Sequence, residues 1–496
     1  TLTSSFTTTN KALVHLDGAD YVTFKHIVTD IPSTFGYGFW LTNEADYNTI
    51  DSCEIYQSMS STSAFNIGIL FSGASGYTSY ANSGNYNTIS NTKIQGGYYG
   101  CRMNGTSTTN NTLGNSFLNC HISQFRYTGI YTRNAGNLTL NENLIHASLT
   151  NGLTSGYGIY SYYATGENSI QCNTIYDIGA RGIICGYYNR YGPGGSIIAN
   201  NMIGSTFQTT GFAYGLYVFG GLNMKIYNNS VSIGSNSGYA YYHSGSMSYT
   251  DSLYVVNNIF ATSPQFGNGQ AMFFSSGIVA ALDVMDYNNF YTAGGNMVNF
   301  NGNSYSTIQQ LQAASFFFNQ SSISANPGFV GTNDLHMICS AIDNLGTPLP
   351  EITQDIDKET RNPTTPDIGA DEFTSIQITY DIGLDTSACE NLLLYADTDD
   401  YVGFVWGGGQ QTPQILIDST NTYSVTVTDS NNCSATDSLV VTIFDAPTAP
   451  FNNDTISQCS YDTVDALNVG STYIWSTSDT TQTMVPPNSG TFTVDI

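Results

Sequence analysis

Aromatic and arginine side chains recur at a fixed place in a short glycine-led motif that repeats along the first half of the chain. The motif reads GFWL at 38, GILF at 68, GCRM at 100, GIYT at 129, GIYS at 158, GIIC at 182 and GLYV at 215, with weaker copies at Ala240 and Ala271. If each copy is a strand and the residue after Gly points inward, the next residue points outward. That outward column, taken with the position two residues further on, contains Trp40, Leu70, Arg102, Tyr131, Arg133, Tyr160, Tyr162, Ile184, Tyr217, Phe219, Tyr242 and Phe273.

Side chains of these types, held in one stripe, are suited to binding. Flat rings stack on the apolar faces of sugars, and a long exposed apolar patch usually marks an interaction site. The predicted ligand-binding residues are Trp40, Arg102, Tyr131, Arg133, Tyr160, Tyr162, Tyr217, Tyr242 and Phe273. The chain contains 36 Tyr, so some aromatic column is expected by chance. The alternative is that the Tyr-rich loops at 73–86, 161–168 and 186–195 cover the stripe, unless they instead form the walls of a groove.

The same residues can be tested for catalysis. A uronate lyase needs a cation for the substrate carboxylate and a base, and Arg102, Arg133, Tyr131 and Tyr160 form the one basic and phenolic cluster that the pattern places on one face. A glycosidase needs two carboxylates roughly 5 to 9.5 Å apart. The acidic residues of this region are instead scattered, at Asp51, Glu54, Glu142, Glu167, Asp177, Asp251, Asp283 and Asp286.

Three further basic residues in the region are isolated in sequence and are interpreted as structural. These are Arg181, Arg190 and His243, the last at an inward position. No catalytic residue is therefore predicted, and binding is favoured over catalysis. A secreted polysaccharide lyase or glycoside hydrolase is the alternative.

A regular scaffold is needed to bring such distant residues into one stripe, and the sequence contains one. An apolar residue recurs at Ile50, Ile89, Leu113, Leu140, Ile170, Ile198, Ile226, Val255 and Val284, with intervals of 27 to 30 residues from Leu113 onward. Each copy has two short alternating runs, and the glycine-led motif adds a third strand. Three strands in about 28 residues indicate a coil of a parallel β-helix, whereas a leucine-rich repeat would show helical periodicity in each repeat.

Asparagine occupies the corner between the two alternating runs. Asn143, Asn173, Asn201, Asn229 and Asn258 are 28 to 30 residues apart. We expect their amides to stack in a hydrogen-bonded ladder along the solenoid.

Charge is distributed unevenly. Residues 1–340 contain 14 Asp and Glu against nine Lys and Arg, whereas 341–496 contain 23 against two, and the whole chain has a net charge of −26. This balance disfavours nucleic acid and anionic lipid as partners.

No apolar run is long enough to span a membrane. The first residues lack the features of a signal peptide, so we expect the chain to begin inside a larger protein or after processing.

The periodicity is lost between about 326 and 373, and this segment is predicted to cover the last coil of the solenoid. It contains Asp355, Asp357 and Arg361, followed by PDIGADEF at 366–373. The pattern resembles the closing motif of secreted right-handed β-helix proteins, although Lys358 stands where that pattern usually has Gly. The alternating acids Asp355, Asp357 and Glu359 could converge on calcium. The alternative, which we favour, is a salt-bridged cap that uses Arg361.

Two copies of a small β module follow. Cys389, Trp406, Tyr423 and Cys433 mark the first, and Cys459, Trp475 and Phe492 mark the second. Alternating strands around a central Trp are typical of an immunoglobulin-like sandwich. We expect a Cys389–Cys433 disulfide, a partner for Cys459 beyond residue 496, and hence an oxidising compartment. The copies resemble modules of large surface and secreted proteins of gliding, type IX-secreting bacteria.

The prediction is an all-β protein with four parts. A right-handed parallel β-helix spans 1–325, its C-terminal cap 326–375, an immunoglobulin-like module 376–445 and a second, truncated module 446–496. The favoured function is that of an extracellular, non-enzymatic, adhesin-like or fibre-forming protein. Its predicted partner is a polysaccharide or a neighbouring surface protein, and head-to-tail self-assembly is a further possibility. No cofactor other than calcium is indicated.

Overall fold

The computed structural model describes residues 1–7, 11–106, 112–147, 156–189, 194–205, 212–235, 237–245, 250–262, 269–292, 294–430, 433–449, 451, 460 and 462–496. The chain forms two compact units, Thr1–Ile376 and Gln377–Ile496. Arg190 and Cys459 lie outside the described residues. Within the described ranges, no helix is both long enough and apolar enough to cross a bilayer.

The first unit is a parallel β-solenoid, as predicted, with three columns of strands. The glycine column contains Ala12–Asp17, Gly36–Thr42, Asn66–Phe71, Tyr99–Asn104, Thr128–Arg133, Tyr157–Tyr162, Arg181–Tyr188, the start of Ala213–Tyr227, Gly238–Ser244, Gln270–Phe274 and Val298–Phe300. The pre-corner column contains Thr23–Lys25, Thr49–Asp51, Thr88–Ser90, Ser116–Leu118, Thr139–Asn141, Asn168–Gln171, Ser196–Ala199, the end of Ala213–Tyr227, Thr250–Val256 and Leu282–Asp286.

The third column follows the Asn corner. This post-corner column contains Leu2–Thr3, Val28–Ile31, Glu54–Gln57, Lys93–Gln95, His121–Ser123, Leu144–His146, Thr174–Tyr176, Met202–Ser205, Ser230–Ile233, Ile259–Thr262 and Asn289–Tyr291. A short parallel pair, Thr112–Leu113 with Ala135–Gly136, lies outside the three columns. A 3₁₀ helix, Ser276–Ala281, links two strands of the last coils.

The apolar repeat forms the buried centre of the pre-corner column, because alternation places every second side chain inside. Its members are at most 1% exposed: Ile50, Ile89, Phe117, Leu140, Ile170, Ile198, Ile226, Val255 and Met285. The predictions at Leu113 and Val284 were wrong. Phe117 is the Cα partner of Leu140, because Leu113 belongs to the extra short strand. Met285 is the partner of Val255, because the register shifts after Leu253.

The Asn ladder is present. Oδ1 of Asn173 accepts hydrogen bonds from the backbone N–H and from Nδ2 of Asn143, both at 3.0 Å. Nδ2 of Asn173 donates to Oδ1 of Asn201 at 2.9 Å and to the carbonyl of Leu140 at 2.7 Å. The same pattern continues through Asn229 and Asn258 and reaches Asn288, which was not predicted. A second ladder, also missed, joins Asn48, Asn87 and Asn115.

The corner is tight because the residue before each ladder position adopts a left-handed backbone conformation. Asn200 has φ of 53°, Asn228 has 49° and Asn257 has 59°. Asn tolerates this region better than other residues with a Cβ. Consecutive asparagines therefore serve two purposes, since the first makes the turn and the second is buried in the ladder.

The last coil is covered by elements that the sequence did not predict. Asn303–Tyr305 pairs antiparallel with Val298–Phe300. The helix Ile308–Ala314 follows, with Thr307 accepting a hydrogen bond from the Gln310 N–H at 3.3 Å as its N-cap. Ile308 and Leu311 of this helix are buried in the same core as the coils. This arrangement protects the apolar end of the solenoid.

The segment 326–376 instead packs along the flank of the solenoid, so the prediction that it covers the last coil was wrong. We call it the flank segment. Asn257 donates to the carbonyl of Thr347 at 2.7 Å, Asn228 to that of Gly369 at 3.2 Å, and Asn200 to that of Gln354 at 2.8 Å. The physical reason is that the left-handed corner asparagines direct their amides outward, and the segment supplies the acceptors.

The second unit contains small antiparallel sheets. Thr386–Cys389, Ser434–Phe444, Asn421–Thr428 and Gly403–Trp406 form one sheet, in which the first pairing is parallel, and Leu392–Tyr395 pairs with Gln414–Ile417. Val464–Asp465 pairs with Thr483–Met484, and Ile474–Trp475 with Val494–Asp495. Trp406 and Trp475 are buried in separate cores, as the repeated spacing suggested.

The predicted Cys389–Cys433 disulfide is not formed. Cys389 is a free, exposed thiol, whereas Cys433 is buried and disulfide-bonded. Cys389 is the Cα partner of Phe444, at the far end of the strand that begins at Ser434, directly after Cys433. Ten residues of strand separate these ends by about 33 Å, far more than the roughly 7 Å that a disulfide allows between Cα atoms.

Candidate functional site

The predicted outward column of the glycine strands is in register. Tyr131 is the Cα partner of both Arg102 and Tyr160, and Tyr217 is the partner of Ile184 and Tyr242. Phe273 follows Tyr242 in the next coil. The position two residues further on is aligned as well, since Arg133 is the partner of Tyr162. Residues far apart in sequence are thus brought together one coil apart.

The rings of this column contact one another. Tyr131 and Tyr160 are stacked, with ring centroids 5.1 Å apart and planes 12° apart. Tyr242 and Phe273 are stacked at 4.7 Å and 13°. Tyr217 meets Tyr242 edge to face at 5.0 Å. Such contacts hold the rings in fixed orientations, so the surface they present is preorganised.

A second aromatic column lies beside the first and was missed in the sequence. It consists of the residue before the Gly, or before Ala240, of each copy and includes Tyr99, Tyr157, Arg181, Tyr214 and Tyr239. A Cβ on Gly158 would lie 2.7 Å from the side chain of Ile175, so Gly faces the core and the preceding residue faces outward. Gly and the residue after it both point inward, which breaks the strict alternation. The recurring Tyr-Gly pairs in the sequence were the signal from which this second column could have been predicted.

Three arginines of this face lie over tyrosine rings. The guanidinium of Arg102 is 4.4 Å from the ring centroid of Tyr131, and that of Arg181 is 5.0 Å from Tyr214. Arg181 also donates to the Tyr157 hydroxyl at 3.1 Å, so its interpretation as an isolated residue was wrong. The guanidinium of Arg133 lies 5.6 Å from Tyr163.

One end of the stripe is covered. Trp40 is 5% exposed, stacks on His15 at 4.3 Å and donates to Ser72 at 3.0 Å. Arg102 is 8% exposed and its guanidinium lies 5.1 Å from Tyr77 of the loop at 73–86. The predicted exposed stripe is therefore shorter than expected, because this loop folds back over the first coils.

Between Tyr131 and Phe273 the stripe is partly open. Tyr131, Arg133, Tyr160, Tyr162, Tyr217, Tyr242 and Phe273 are all partly exposed, whereas Ile184 is buried. These seven residues are the part of the predicted site that a ligand can reach. We call them, together with Tyr157, Arg181, Tyr214 and Tyr239 of the second column, the aromatic face.

Phenols on this face are poor bases. Burial raises the pKa of Tyr160, and the neighbouring Tyr131 and Tyr157 add to the effect. Burial also raises the pKa of Tyr99 to about 12. A lyase base requires the opposite change, toward neutral pH.

Carboxylates of the solenoid are engaged elsewhere. Hydrogen bonds from Asn91 and Ser90 hold the pKa of Asp51 down to about 2. Glu142 forms an ion pair with Lys358 at 2.8 Å, and Asp286 accepts from the Ser321 N–H at 2.7 Å. These groups cap turns and hold segments together.

His243 points inward, as its position in the strand predicted. It is fully buried and forms a 2.7 Å hydrogen bond with the Tyr241 hydroxyl. Burial lowers its pKa to about 3, so the ring is neutral and packed in the core.

The acids proposed for calcium do not share one centre. The carboxylate of Asp355 accepts hydrogen bonds from the backbone N–H groups of Asp357, Glu359 and Glu372, at 2.7 to 3.0 Å. The Asp357 carboxylate instead lies 2.8 Å from Nε2 of His336. Side-chain atoms of His336, Asp357 and Asp371 lie within 4.8 Å of one another. Both ring nitrogens of His336 contact carboxylates, those of Asp334 and Asp357.

Arg361 has the role expected of a salt-bridged cap residue, although its location is the flank. Its guanidinium pairs with Glu372 at 3.2 Å and donates to Oδ1 of Asn200 at 2.9 Å and to the carbonyl of Gly369 at 2.8 Å. Gly369 has φ of 102°, and a Cβ there would contact Ile259 and Ser230. The PDIGADEF motif therefore attaches the flank segment to the corners of the solenoid.

No protein-family model matches the chain, and neither does any curated protein. Among solved structures, the complex of XylC with xylose aligns at 10% identity and a TM-score of 0.43, covering 74% of this chain and 67% of that one. The tailspike protein of E. coli bacteriophage HK620 aligns at 9% identity and 0.38, covering 88% and 84%. PfbA, a surface adhesin of Streptococcus pneumoniae, aligns at 10% and 0.25, covering 63% and 64%. At these identities and TM-scores, function has to be inferred from the side chains of this chain.

Proposed function

We propose that the solenoid is a non-enzymatic polysaccharide-binding module of an extracellular or cell-surface protein. The observation that carries this proposal is the aromatic face, in which partly exposed, preorganised rings extend from Tyr131 to Phe273 and are interrupted in one coil by the buried Ile184. Rings about 4.8 Å apart along a regular axis offer repeated stacking positions to a repetitive chain. A polymer with a repeating unit is the ligand that such a row fits best.

The chemistry of the face supports binding over cleavage. From Gly36–Thr42 to Gln270–Phe274, the strands of the glycine column contain no Asp or Glu. A glycosidase would need two carboxylates there. The raised pKa of Tyr160 disfavours this residue as the base of the lyase alternative.

The second unit fits the role of a spacer in such a protein. We propose two immunoglobulin-like modules, 376–445 and 446–496. Trp406 donates to the carbonyl of Thr412 at 2.8 Å, and Trp475 donates to that of Thr481 at 2.8 Å, six residues on in both cases. This equivalence supports a repeated module, as in the bacterial surface proteins that the sequence resembles.

Affinity electrophoresis against a panel of neutral and acidic polysaccharides tests the binding function. We expect retardation by at least one polymer, and about tenfold weaker binding by Tyr160→Ala and Tyr242→Ala, since a buried stacking contact contributes about 1 kcal/mol beyond its area. Tyr395→Ala, at an exposed tyrosine of the second unit, is the matched control. Ultraviolet-absorbing unsaturated products, abolished by Arg133→Ala, would overturn the non-enzymatic proposal.

A further inference from the structure

We infer that the polysaccharide bound by the aromatic face is acidic, with its carboxylates held by Arg133 and Arg181. This inference rests on the proposed binding function and names the class of its ligand. The two arginines lie on the strands either side of Tyr157–Tyr162. Arg133 is the Cα partner of Tyr162, and Arg181 is the partner of Tyr157.

This placement puts a row of rings between two positive charges. With a strand spacing of about 4.8 Å and a rise of about 3.3 Å per residue, the two Cα atoms are roughly 19 Å apart. Tyr160 lies between them. The charges of both arginines lower the pKa of Tyr160, against the larger effect of burial. A chain that crosses the coils diagonally would meet a cation, a stacking surface and a second cation in turn.

Neither guanidinium is neutralised by the protein. The ion pairs among the described residues involve other groups, namely Lys25, Lys225, His336, Lys358 and Arg361. Nε of Arg133 and Nε of Arg181 are buried and have no hydrogen-bond partner in the described part of the chain. Both residues remain partly exposed. Arg361 shows the contrast at its terminal nitrogens, which are matched by Glu372 and by carbonyl groups, although its Nε is also without a partner.

Guanidinium chemistry selects the ligand class. Arg presents planar N–H donors that fit a carboxylate in a bidentate manner, and stacking on a ring leaves the edge of the plane free for such bonds. Arg133 lies beside Tyr80 and Tyr163, and Arg181 lies among Tyr157, Tyr214 and Tyr217. The rings fix each guanidinium, so less entropy is lost when a carboxylate binds.

The acidity of the whole chain does not oppose this inference. Most of the negative charge lies in residues 341–496, where 23 acidic residues face two basic ones. The aromatic face, with arginines and no acidic residue in its strands, therefore acts as a local site for anions.

Isothermal titration of the full chain against polygalacturonate and alginate tests the inference. The methyl ester of polygalacturonate is the neutral control, since it keeps the sugar backbone and removes the charge. We expect the acidic polymers to bind and the ester to bind about tenfold or more weakly, because a hydrogen bond to a charged group contributes more than a neutral one. Added salt should weaken binding of the acids and leave the ester unaffected.

Arg133→Gln and Arg181→Gln should each weaken binding of the acidic polymers about tenfold or more, and should weaken binding of the ester by a smaller factor. Arg→Lys at either position should recover part of the loss, since it restores the charge without the planar donors. Lys25→Gln, which removes a charge paired with Asp51 on another column, is the matched control. Unchanged thermal melting of each variant excludes misfolding.

The outcomes separate the two proposals. Equal binding of acid and ester, or Arg→Gln variants that bind acids like the wild type, would overturn the inference and leave polysaccharide binding intact. Binding of neutral polysaccharides alone would also overturn the inference and leave the proposed polysaccharide binding intact. If no polysaccharide binds at all, both the proposed function and this inference fail.

Discussion

At the scale of single residues, the asparagine ladder holds the coils in register. Asn201 is fully buried, and its side chain both accepts from Asn173 and donates to Asn229. It also donates to the carbonyl of Ile170 at 2.9 Å. A slip of one residue would break these bonds in every coil, so the ladder fixes which outward residues meet on the aromatic face.

Replacing one ladder residue tests this role. Asn201→Ala removes the acceptor of the Asn173 backbone N–H, one of the two acceptors of Asn173 Nδ2, and the side-chain donor to the carbonyl of Ile170. We expect a loss of about 3 kcal/mol in the free energy of unfolding, since each unpartnered buried polar group costs roughly 1–3 kcal/mol. Urea denaturation measures it.

Asn303→Ala is the control for this substitution, because Asn303 is exposed and makes one long hydrogen bond of 3.4 Å to Asn301. It should change stability by less than about 0.5 kcal/mol. Similar losses in the free energy of unfolding of both variants would show that the ladder hydrogen bonds contribute no more to stability than an exposed asparagine does.

At the scale of elements, we expect the stability of the flank segment to depend on pH. Burial raises the pKa of Asp367 to about 7 and that of Asp371 to about 6. Burial alone would lower the pKa of His336, but its hydrogen bonds to Asp334 and Asp357 and the charge of Asp371 raise it overall. All three groups bind protons more readily in the folded state than in the unfolded chain.

The sign of the pH dependence follows from these shifts. A raised folded-state pKa gives stability that is fully present below the unfolded pKa and is lost as pH rises through the folded value. For Asp367 and Asp371 this window runs from about pH 4 to about pH 7. We therefore expect the flank segment to be more protected at pH 5 than at pH 8. Hydrogen exchange, corrected for the intrinsic rate, measures this.

The pre-corner strands provide the comparison within the same molecule, since Ile198 and Ile226 lie in an apolar core without titrating groups of this kind. Their protection should change little over the same range. Equal or greater protection of the flank segment at pH 8 would contradict the assignment.

Strict periodicity made the solenoid predictable, and departures from it were missed. The ladder from Asn143 to Asn258 and the outward column followed from spacing alone. The Tyr-Gly column was missed because Gly and the next residue both point inward. Coverage of Trp40 and Arg102 could not be deduced, since the loop at 73–86 has no repeat from which to infer its path. The flank segment was misplaced because its partners are corner amides distant in sequence.

At the scale of the whole molecule, a regular stack turns a small sequence motif into a long surface. Each coil adds about 4.8 Å and one to three aromatic or arginine side chains to the same face. Single contacts of this kind are weak, and in the proposed function their repetition would give affinity for a repeating polymer through multivalency. The acidic residues concentrate in 341–496 and leave this face without carboxylates in its strands.

Hydroxyl-radical footprinting of the full chain, with and without a bound acidic polysaccharide, tests the location of the binding surface most directly. We predict protection of Tyr131, Tyr160, Tyr162, Tyr217 and Tyr242, and unchanged oxidation of Tyr21 and Tyr395, which are exposed elsewhere. Protection confined to other tyrosines, with the aromatic face as reactive as in the free protein, would contradict the account.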